Sequence, residues 1–498
     1  MNKKLTTYAL ITTILLQVLT IVSGFVIPKI ILTYFGSDVN GMISSVTQFL
    51  NYIQLLEGGV SAVAMSALYK SLAVHDEKKI SGIIKAVDSF FKKIGIVYVI
   101  YAVLVALVYP AVVNTPLNYF QSLLLIVIIA ASIFVQYFFS LTYRVLINAD
   151  RRGYIVSLAQ CALIIINVSL AIIVVKIYPS IHLLKLGTVI AYITQPIIFS
   201  YYIKRHYKLD KKIQADNESL SQKWNGFGHN LAYFIHTNTD IIVLTVFTDL
   251  KTVSVYAVYA SIATALKTLI ISMSAAVKPS FGNVLVSSDL KDTNKVFDYY
   301  ELGINVISSI LFAGCIVLIV PFVQVYTFGI TDANYYEPIF ALLLCAGELV
   351  YCIRDPFVSA AYTANHFKQT AKYAYIEAAL NIIISIILVR KYGLIGVAIG
   401  TLVAMTYRMI AQAIYLRDNI LFRPVAKWLR GIVCVCCSIC ISTSIVHYGI
   451  EYKIDSYLSW FIFACIVMLI SSLITCILFF VINKKTCVEF MKRYYLKK

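Results

Sequence analysis

The chain has 498 residues, 60% of them hydrophobic and only 13% charged. A soluble domain carries charge on roughly a quarter of its residues, so this composition leaves too little water-facing surface for one. The formal charge of +18 is spread over alternate loops instead of one face, which argues against a nucleic-acid partner and for a chain oriented in a bilayer.

Apolar runs of about 20 residues, each able to span ~30 Å of hydrocarbon, recur along the sequence. In chain order they predict helices over 8–31, 41–68, 89–112, 119–143, 154–176, 181–203, 229–250, 253–277, 300–320, 337–358, 371–389, 393–416, 428–446 and 457–482. Lys3 and Lys4 run straight into the first of these without a small-residue cleavage site, so that segment reads as a span and not as a removed signal. Of the 42 Lys and Arg, 33 fall in the terminal segments, the even-numbered loops and the helix ends adjoining them. Six lie on the opposite side and three inside spans. The positive side is read as the cytoplasm, which puts both termini there.

The eleven cysteines lie in apolar runs or in the tail (Cys487), which favours free thiols over a disulfide framework. Cys434, Cys436, Cys437 and Cys440 have no His or carboxylate beside them and read as packing groups, with no metal expected.

No loop is long enough for a soluble domain. The longest, about 204–228, is polar and basic and divides the chain. A shift of 215 residues lays the second, fourth and fifth spans on the eighth, tenth and eleventh. The turn Asn148-Ala149-Asp150-Arg151-Arg152-Gly153-Tyr154 then falls on Thr363-Ala364-Asn365-His366-Phe367-Lys368-Gln369. Six spans separate the copies, so both halves face the same way. The expected fold is all-α and polytopic: a six-helix half over 1–215, a parallel six-helix half over 216–427 and an added helix pair with a tail over 428–498.

At residue level the chain resembles the multidrug/oligosaccharidyl-lipid/polysaccharide exporter superfamily, and within it the bacterial polysaccharide-unit flippases. The resemblance rests on Ile27-Pro28-Lys29, Tyr34-Phe35-Gly36-Ser37-Asp38-Val39-Asn40-Gly41, Gln48-Phe49-Leu50 and Ala67-Leu68-Tyr69-Lys70. The 148–154 turn and Asn238-Thr239-Asp240 add to it. It implies a multi-pass protein of the bacterial inner membrane that is no enzyme. Its implied action is to translocate undecaprenyl-pyrophosphate-linked oligosaccharide between leaflets for surface polysaccharide such as O-antigen or capsule. Glycosyltransferases and a polysaccharide polymerase would be its partners.

A glycan carrier needs polar stripes on apolar helices and cations for phosphate. The first span places Thr13, Gln17, Thr20, Gly24 and Pro28 on one face, and the second places Thr47, Asn51, Gln54, Gly58 and Ser61 on one face beside Glu57. The twelfth aligns Thr401, Met405, Arg408 and Gln412. A charge inside a span costs about 3 kcal/mol or more, so each asks for a reason. Lys29, Lys267 and Arg408, with Gln17, Asn51 and Gln54, are the candidate substrate-binding set; interhelical ion pairs are the competing reading.

Among the acids Glu57, Asp240, Glu348 and Glu377, the resemblance singles out some. Relatives bind sodium with carboxylate, amide and hydroxyl oxygens, for which Asp240, Glu377, Asn381 and Thr401 are the loose match, with Na+ or H+ as coupling ion and no other cofactor. The competing reading pairs those acids with Lys267 or Arg408. Thr237 lies one turn before Asp240; His236, also one turn away, is a weaker relay candidate, and Arg354-Asp355 reads as a local salt bridge. A sodium- or proton-coupled multidrug antiporter is the alternative function. A membrane transferase or polymerase is disfavoured by the short loops.

Overall fold

The computed structural model describes residues 3–57, 59–210, 212–221 and 227–494. Among the described residues there is no β-strand. The α-helices are α1 (Lys3–Asn51), α2 (Gln54–Glu57), α3 (Val60–Ala73), α4 (Glu77–Val112), α5 (Tyr119–Val135), α6 (Leu141–Ala149), α7 (Gly153–Ile177) and α8 (Ile181–His206). They continue with α9 (Phe227–Phe247), α10 (Leu250–Ser287), α11 (Leu290–Tyr326), α12 (Pro338–Thr363), α13 (Phe367–Leu416), α14 (Val425–Gly449), α15 (Tyr457–Ile482) and α16 (Lys484–Tyr494).

Side-chain caps start several of them. Asp76 accepts from the amide of Lys79, Asn118 from that of Gln121 and Asp289 from that of Asp292, which satisfies amides that a helix start leaves open.

Among the described residues ten helices are long and apolar enough to cross a membrane. Two of these, Tyr8–Asn51 and Phe367–Leu421, have 44 and 55 residues, about twice what a bilayer needs. Each folds at a glycine in the left-handed region, Gly36 at φ 82° and Gly393 at φ 52°, where a side chain is costly. Helix α12, 26 residues long, carries Glu348, Arg354 and Asp355. The chain is therefore a polytopic all-α membrane protein of about 14 spans. The lipid-facing side is plain on α4: Ile96, Ile100, Val103, Leu104 and Leu107 are exposed, while Phe91, Ile94, Tyr98, Ala102 and Ala106 are buried.

The described chain forms two compact units, Met1–Phe234 with Asp249–Ser254 and Ile235–Thr248 with Val255–Lys498. Their helices repeat with one offset. Helices α4 and α11 end at 112 and 326, and α7 and α13 begin at 153 and 367. The preceding turns share their geometry. Arg151 and Asn365 are left-handed at φ 58° and 62°. The amides of Arg151 and Arg152 reach the carbonyls of Asn148 and Ile147 at 3.1 and 3.0 Å, and those of Asn365 and His366 reach Tyr362 and Ala361 at 2.9 Å each. This is a helix C-cap motif that reuses the last-turn carbonyls. It pairs Arg151 with Asn365, an offset of 214, so the 215-residue shift read from hydropathy is one residue too long.

The second span also departs from its expected form. Instead of one helix over 41–68, the chain breaks after Asn51, makes the single turn α2 and breaks again before α3. The amides of Tyr52 and Ile53 fall back to carbonyls three residues earlier, at 3.2 and 3.4 Å. The expected stripe from Thr47 to Ser61 is thus not a single helix face. The adjacent pair Gly58-Gly59 costs a helix about 1 kcal/mol per glycine, a cost that a hydropathy reading does not register.

In the first unit the Tyr34–Gly41 segment has a structural explanation. Gly36 makes the kink. Beyond it, Asn40 Nδ2 donates to Ser254 Oγ at 2.7 Å, and Asp38 lies 3.7 Å from Lys251. Gly41 lies against the Leu250 carbonyl so tightly that a Cβ would sit 1.8 Å from its oxygen. The polar stretch after α8 docks on α4: Lys85 donates to the Ile213 carbonyl at 2.6 Å, and the Asp216 amide donates to the Gly82 carbonyl at 3.0 Å. Hydrogen bonds from Ser219 hold the Asp216 carboxyl below its usual range.

Candidate functional site

The intramembrane charges of the second unit form connected networks built on α13. Its two arms, before and after Gly393, pack side by side. A Cβ on Gly396 would lie 2.6 Å from the Leu388 carbonyl, and one on Gly400 2.3 Å from Ser385 Oγ. Two glycines four residues apart let helix backbones approach this closely. That approach places Asn381 of the first arm beside Thr401 of the second, with Asn381 Nδ2 donating to Thr401 Oγ1 at 2.7 Å.

Thr401 passes the contact on to α9. Its hydroxyl donates to the Asp240 carboxylate at 2.9 and 3.0 Å, and the Tyr256 hydroxyl donates to Asp240 Oδ2 at 2.9 Å. Asp240, Asn381 and Thr401 are all buried, Asn381 completely. The Asn381 Oδ1 atom is buried and accepts no hydrogen bond. An orphaned amide oxygen beside a carboxylate and two hydroxyls is an all-oxygen set. That is the chemistry a hard monovalent cation selects, so these residues fit a sodium ion.

Glu377 lies one turn before Asn381 on the same face but is engaged elsewhere. Its Oε1 accepts from Arg354 of α12 and its Oε2 from Arg408 of the second arm. All three side chains are buried. The expected local bridge between Arg354 and Asp355 does not form; Asp355 instead accepts from Ser274, Tyr300 and Lys278. A third buried pair joins Lys267 of α10 to Glu348 of α12 at 2.9 Å, each side chain 11% exposed. Tyr351 lies between the pairs, with Lys267 5.0 Å and Arg354 4.6 Å from its ring centre, close enough for cation–π attraction.

Thus Lys267 and Arg408 are each engaged by a carboxylate, and Asp240, Asn381 and Thr401 are brought together. Thr401, Met405, Arg408 and Gln412 line one buried face as the spacing predicted. Tyr256 and the far partner of Arg354 escaped the sequence reading: a tyrosine in an apolar run carries no distinguishing signal, and pairings across 23 or more residues have no local pattern.

Most of the remaining candidates belong to the first unit. Gln17 and Lys29 are half-buried on α1, and Thr13, Thr20 and Gly24 are exposed. Asn51 closes α1 and accepts from Gln54 Nε2 at 3.3 Å across the break. Glu57 accepts from Ser61 at 2.7 Å. Gly58 and the side chains of His236 and Thr237 lie outside the described residues. Of the cysteine cluster, Cys434 is buried and Cys436, Cys437 and Cys440 face outward.

Together these features define a multi-pass membrane protein with two repeated helical units and buried ionic networks in the second. No family model and no curated protein matches the sequence. Solved structures share its fold. The lipid II flippase MurJ in an inward closed conformation superposes with a TM-score of 0.73 at 18% identity, over 95% of this chain and 98% of that one. An inward-facing multidrug resistance MATE family transporter of the MOP superfamily gives 0.61 at 11% identity, over 81% of this chain and 95% of that one. A MATE structure in a bent conformation gives 0.57 at 13% identity, over 86% and 97%.

Proposed function

We propose that this chain is a flippase that carries an undecaprenyl-pyrophosphate-linked oligosaccharide from the inner to the outer leaflet of a bacterial inner membrane, by alternating access between its halves 1–215 and 216–427. The observation that carries the reading is the extent of the likeness: the flippase fold covers 95% of the chain, whereas the multidrug transporter folds cover 81% and 86%. A lipid-linked substrate has a long apolar tail to hold as well as a polar head. The extra pair 428–498 adds surface for that task.

Both termini face the cytoplasm in this reading, as the distribution of Lys and Arg favours. Lys29, Lys267 and Arg408 supply cations for the pyrophosphate, with Gln17, Asn51 and Gln54 as hydrogen-bonding partners of the sugars. Lys267 and Arg408 reach that role by exchanging a carboxylate partner for phosphate, a swap that costs less than exposing a buried charge alone. A coupling cation would be held by Asp240, Asn381 and Thr401, with Tyr256 as a further hydroxyl. Glu377 contributes by fixing Arg354 and Arg408 around it. Glycosyltransferases would supply the substrate and a polymerase would consume it, for O-antigen or capsule.

The test is deletion of the gene in its host. Loss of surface polysaccharide with lipid-linked repeat units accumulating inside supports the reading. Unchanged polysaccharide together with greater sensitivity to organic cations would favour the multidrug antiporter.

A further inference from the structure

A polar recess in the second unit lies apart from the networks around α13. It opens at the basic end of the bundle, between the start of α11, the start of α14 and the junction of α15 with α16. Its outer part is a cavity of about 670 Å³ and its inner part a recess of about 70 Å³. The proposed transport role gives 428–498 an apolar surface for the substrate tail and leaves this polar recess without a task.

Its wall is a buried ionic cluster. Arg423 lies 3.0 Å from Asp298 and 2.5 Å from Glu301, and Lys427 bonds Asp298 at 2.8 Å. Those contacts occupy Asp298, Glu301, Arg423 and Lys427. Lys291, Arg430 and Lys485 also line the opening, and among the described residues none of these three has a carboxylate partner. The mouth therefore presents three uncommitted cations around one remaining acid, Glu489.

Deeper in, Asn305 is 3% exposed, and its Oδ1 accepts nothing. It lines the inner recess beside Gly431, where a Cβ would lie 3.1 Å from Asn305 Nδ2. A buried acceptor without a donor calls for a ligand that brings one. Along the outside, Leu469, Leu473, Ile477 and Val481 form a row on α15, each more than 60% exposed. Ile482, next in the chain, lines the mouth of the cavity. An apolar row that ends at a cationic mouth fits a molecule with acyl chains and a phosphate.

We infer that this recess binds the phosphoglycerol headgroup of an anionic membrane lipid, with its phosphate at Arg430, inside the cationic mouth formed by Lys291 and Lys485, and a headgroup hydroxyl donating to Asn305. A free anion would satisfy the cations and leave both Asn305 and the apolar row unused.

The test uses the full chain, purified in detergent, stripped of lipid and offered phosphatidylglycerol, phosphatidic acid, phosphatidylcholine or inorganic phosphate. Native mass spectrometry counts what stays bound. The expected result is one retained phosphatidylglycerol, preferred at least tenfold over phosphatidylcholine, and a tenfold or greater loss of it in the Lys291→Glu/Arg430→Glu variant. Asn305→Leu replaces an unsatisfied buried amide by an apolar group of similar size, so it folds even if the charge reversal does not. It should keep phosphatidic acid and lose the preference for phosphatidylglycerol over it. Equal retention of phosphatidylglycerol and phosphatidylcholine, or unchanged preferences in both variants, would overturn the inference. So would displacement of the lipid by an equal concentration of inorganic phosphate.

Discussion

Asn381 and Thr401, on opposite arms of α13 and separated by the Gly393 kink, are joined by a 2.7 Å hydrogen bond that ties the fold of one helix to the carboxylate of Asp240. The bond exists because Gly396 and Gly400 let the arms touch. A change at the carboxylate therefore removes a partner of the hydroxyl that joins the two arms.

That coupling gives the first prediction. Wild-type protein in detergent should melt at a higher temperature in sodium chloride than in choline chloride of equal ionic strength, because a ligand that binds only the folded state stabilises it. Asp240→Asn should abolish the difference. Thr401→Val should weaken sodium binding about tenfold, equivalent to ~1.4 kcal/mol. An Asp240→Asn protein that keeps the full sodium-dependent shift would remove these residues from the cation site.

The Arg354–Glu377–Arg408 triad gives the second. Glu377→Gln leaves two buried arginines short of a countercharge and should cost about 3–5 kcal/mol of stability. Replacing all three by apolar residues (Arg354→Met, Glu377→Leu, Arg408→Met) should restore most of that loss. Thermal melting of the two variants beside wild type checks the order, and equal melting of all three would show that the triad carries no net energy.

Lys267 and Glu348 separate stability from transport. Lys267→Met alone should lower the amount of folded protein, since it strands a buried carboxylate. Adding Glu348→Gln should bring the amount back. Polysaccharide export should remain lost in both. Export restored along with protein level in the double variant would assign the pair a purely structural role.

The glycines test the packing argument. Gly400→Val and Gly41→Ala should each destroy the folded yield, because their side chains would collide with the Ser385 and Leu250 backbones. Gly303→Ala, where nothing lies within 4 Å, should be neutral or raise stability by a few tenths to 1 kcal/mol through helix propensity. Size-exclusion profiles of the three proteins decide it; a monodisperse Gly400→Val protein at wild-type yield would contradict the close approach.

Much of the fold was legible because a bilayer imposes one strong rule, a run of apolar residues about 20 long. Helices α4 and α15, which hold the apolar stretches Ile96–Leu107 and Phe461–Ile470, follow it. Two features escaped that rule. The break between Asn51 and Val60 falls where Asn51, Gln54 and Glu57 read as a polar stripe on one helix, and only Gly58-Gly59 hinted at it. The offset of the repeat needed the left-handed turn residues Arg151 and Asn365, which hydropathy does not distinguish from their neighbours.

The networks were legible as residues and not as pairs. Charges inside spans stand out individually, so Lys267, Glu348, Glu377 and Arg408 were visible. Their partners depend on which helix faces touch, and Arg354 shows the consequence, since its adjacent Asp355 looked like the natural partner and Glu377 holds it instead.

The most direct test of the central claim is transport by the purified chain. The protein is reconstituted in vesicles with a lipid-linked oligosaccharide carrying a fluorescent sugar, and the fraction open to an impermeant glycosidase is followed over time. The account predicts that the protected fraction crosses within minutes in wild-type vesicles and at the protein-free rate in Lys267→Met/Glu348→Gln vesicles. A wild-type rate equal to that of empty vesicles, with organic cations transported instead, would contradict it.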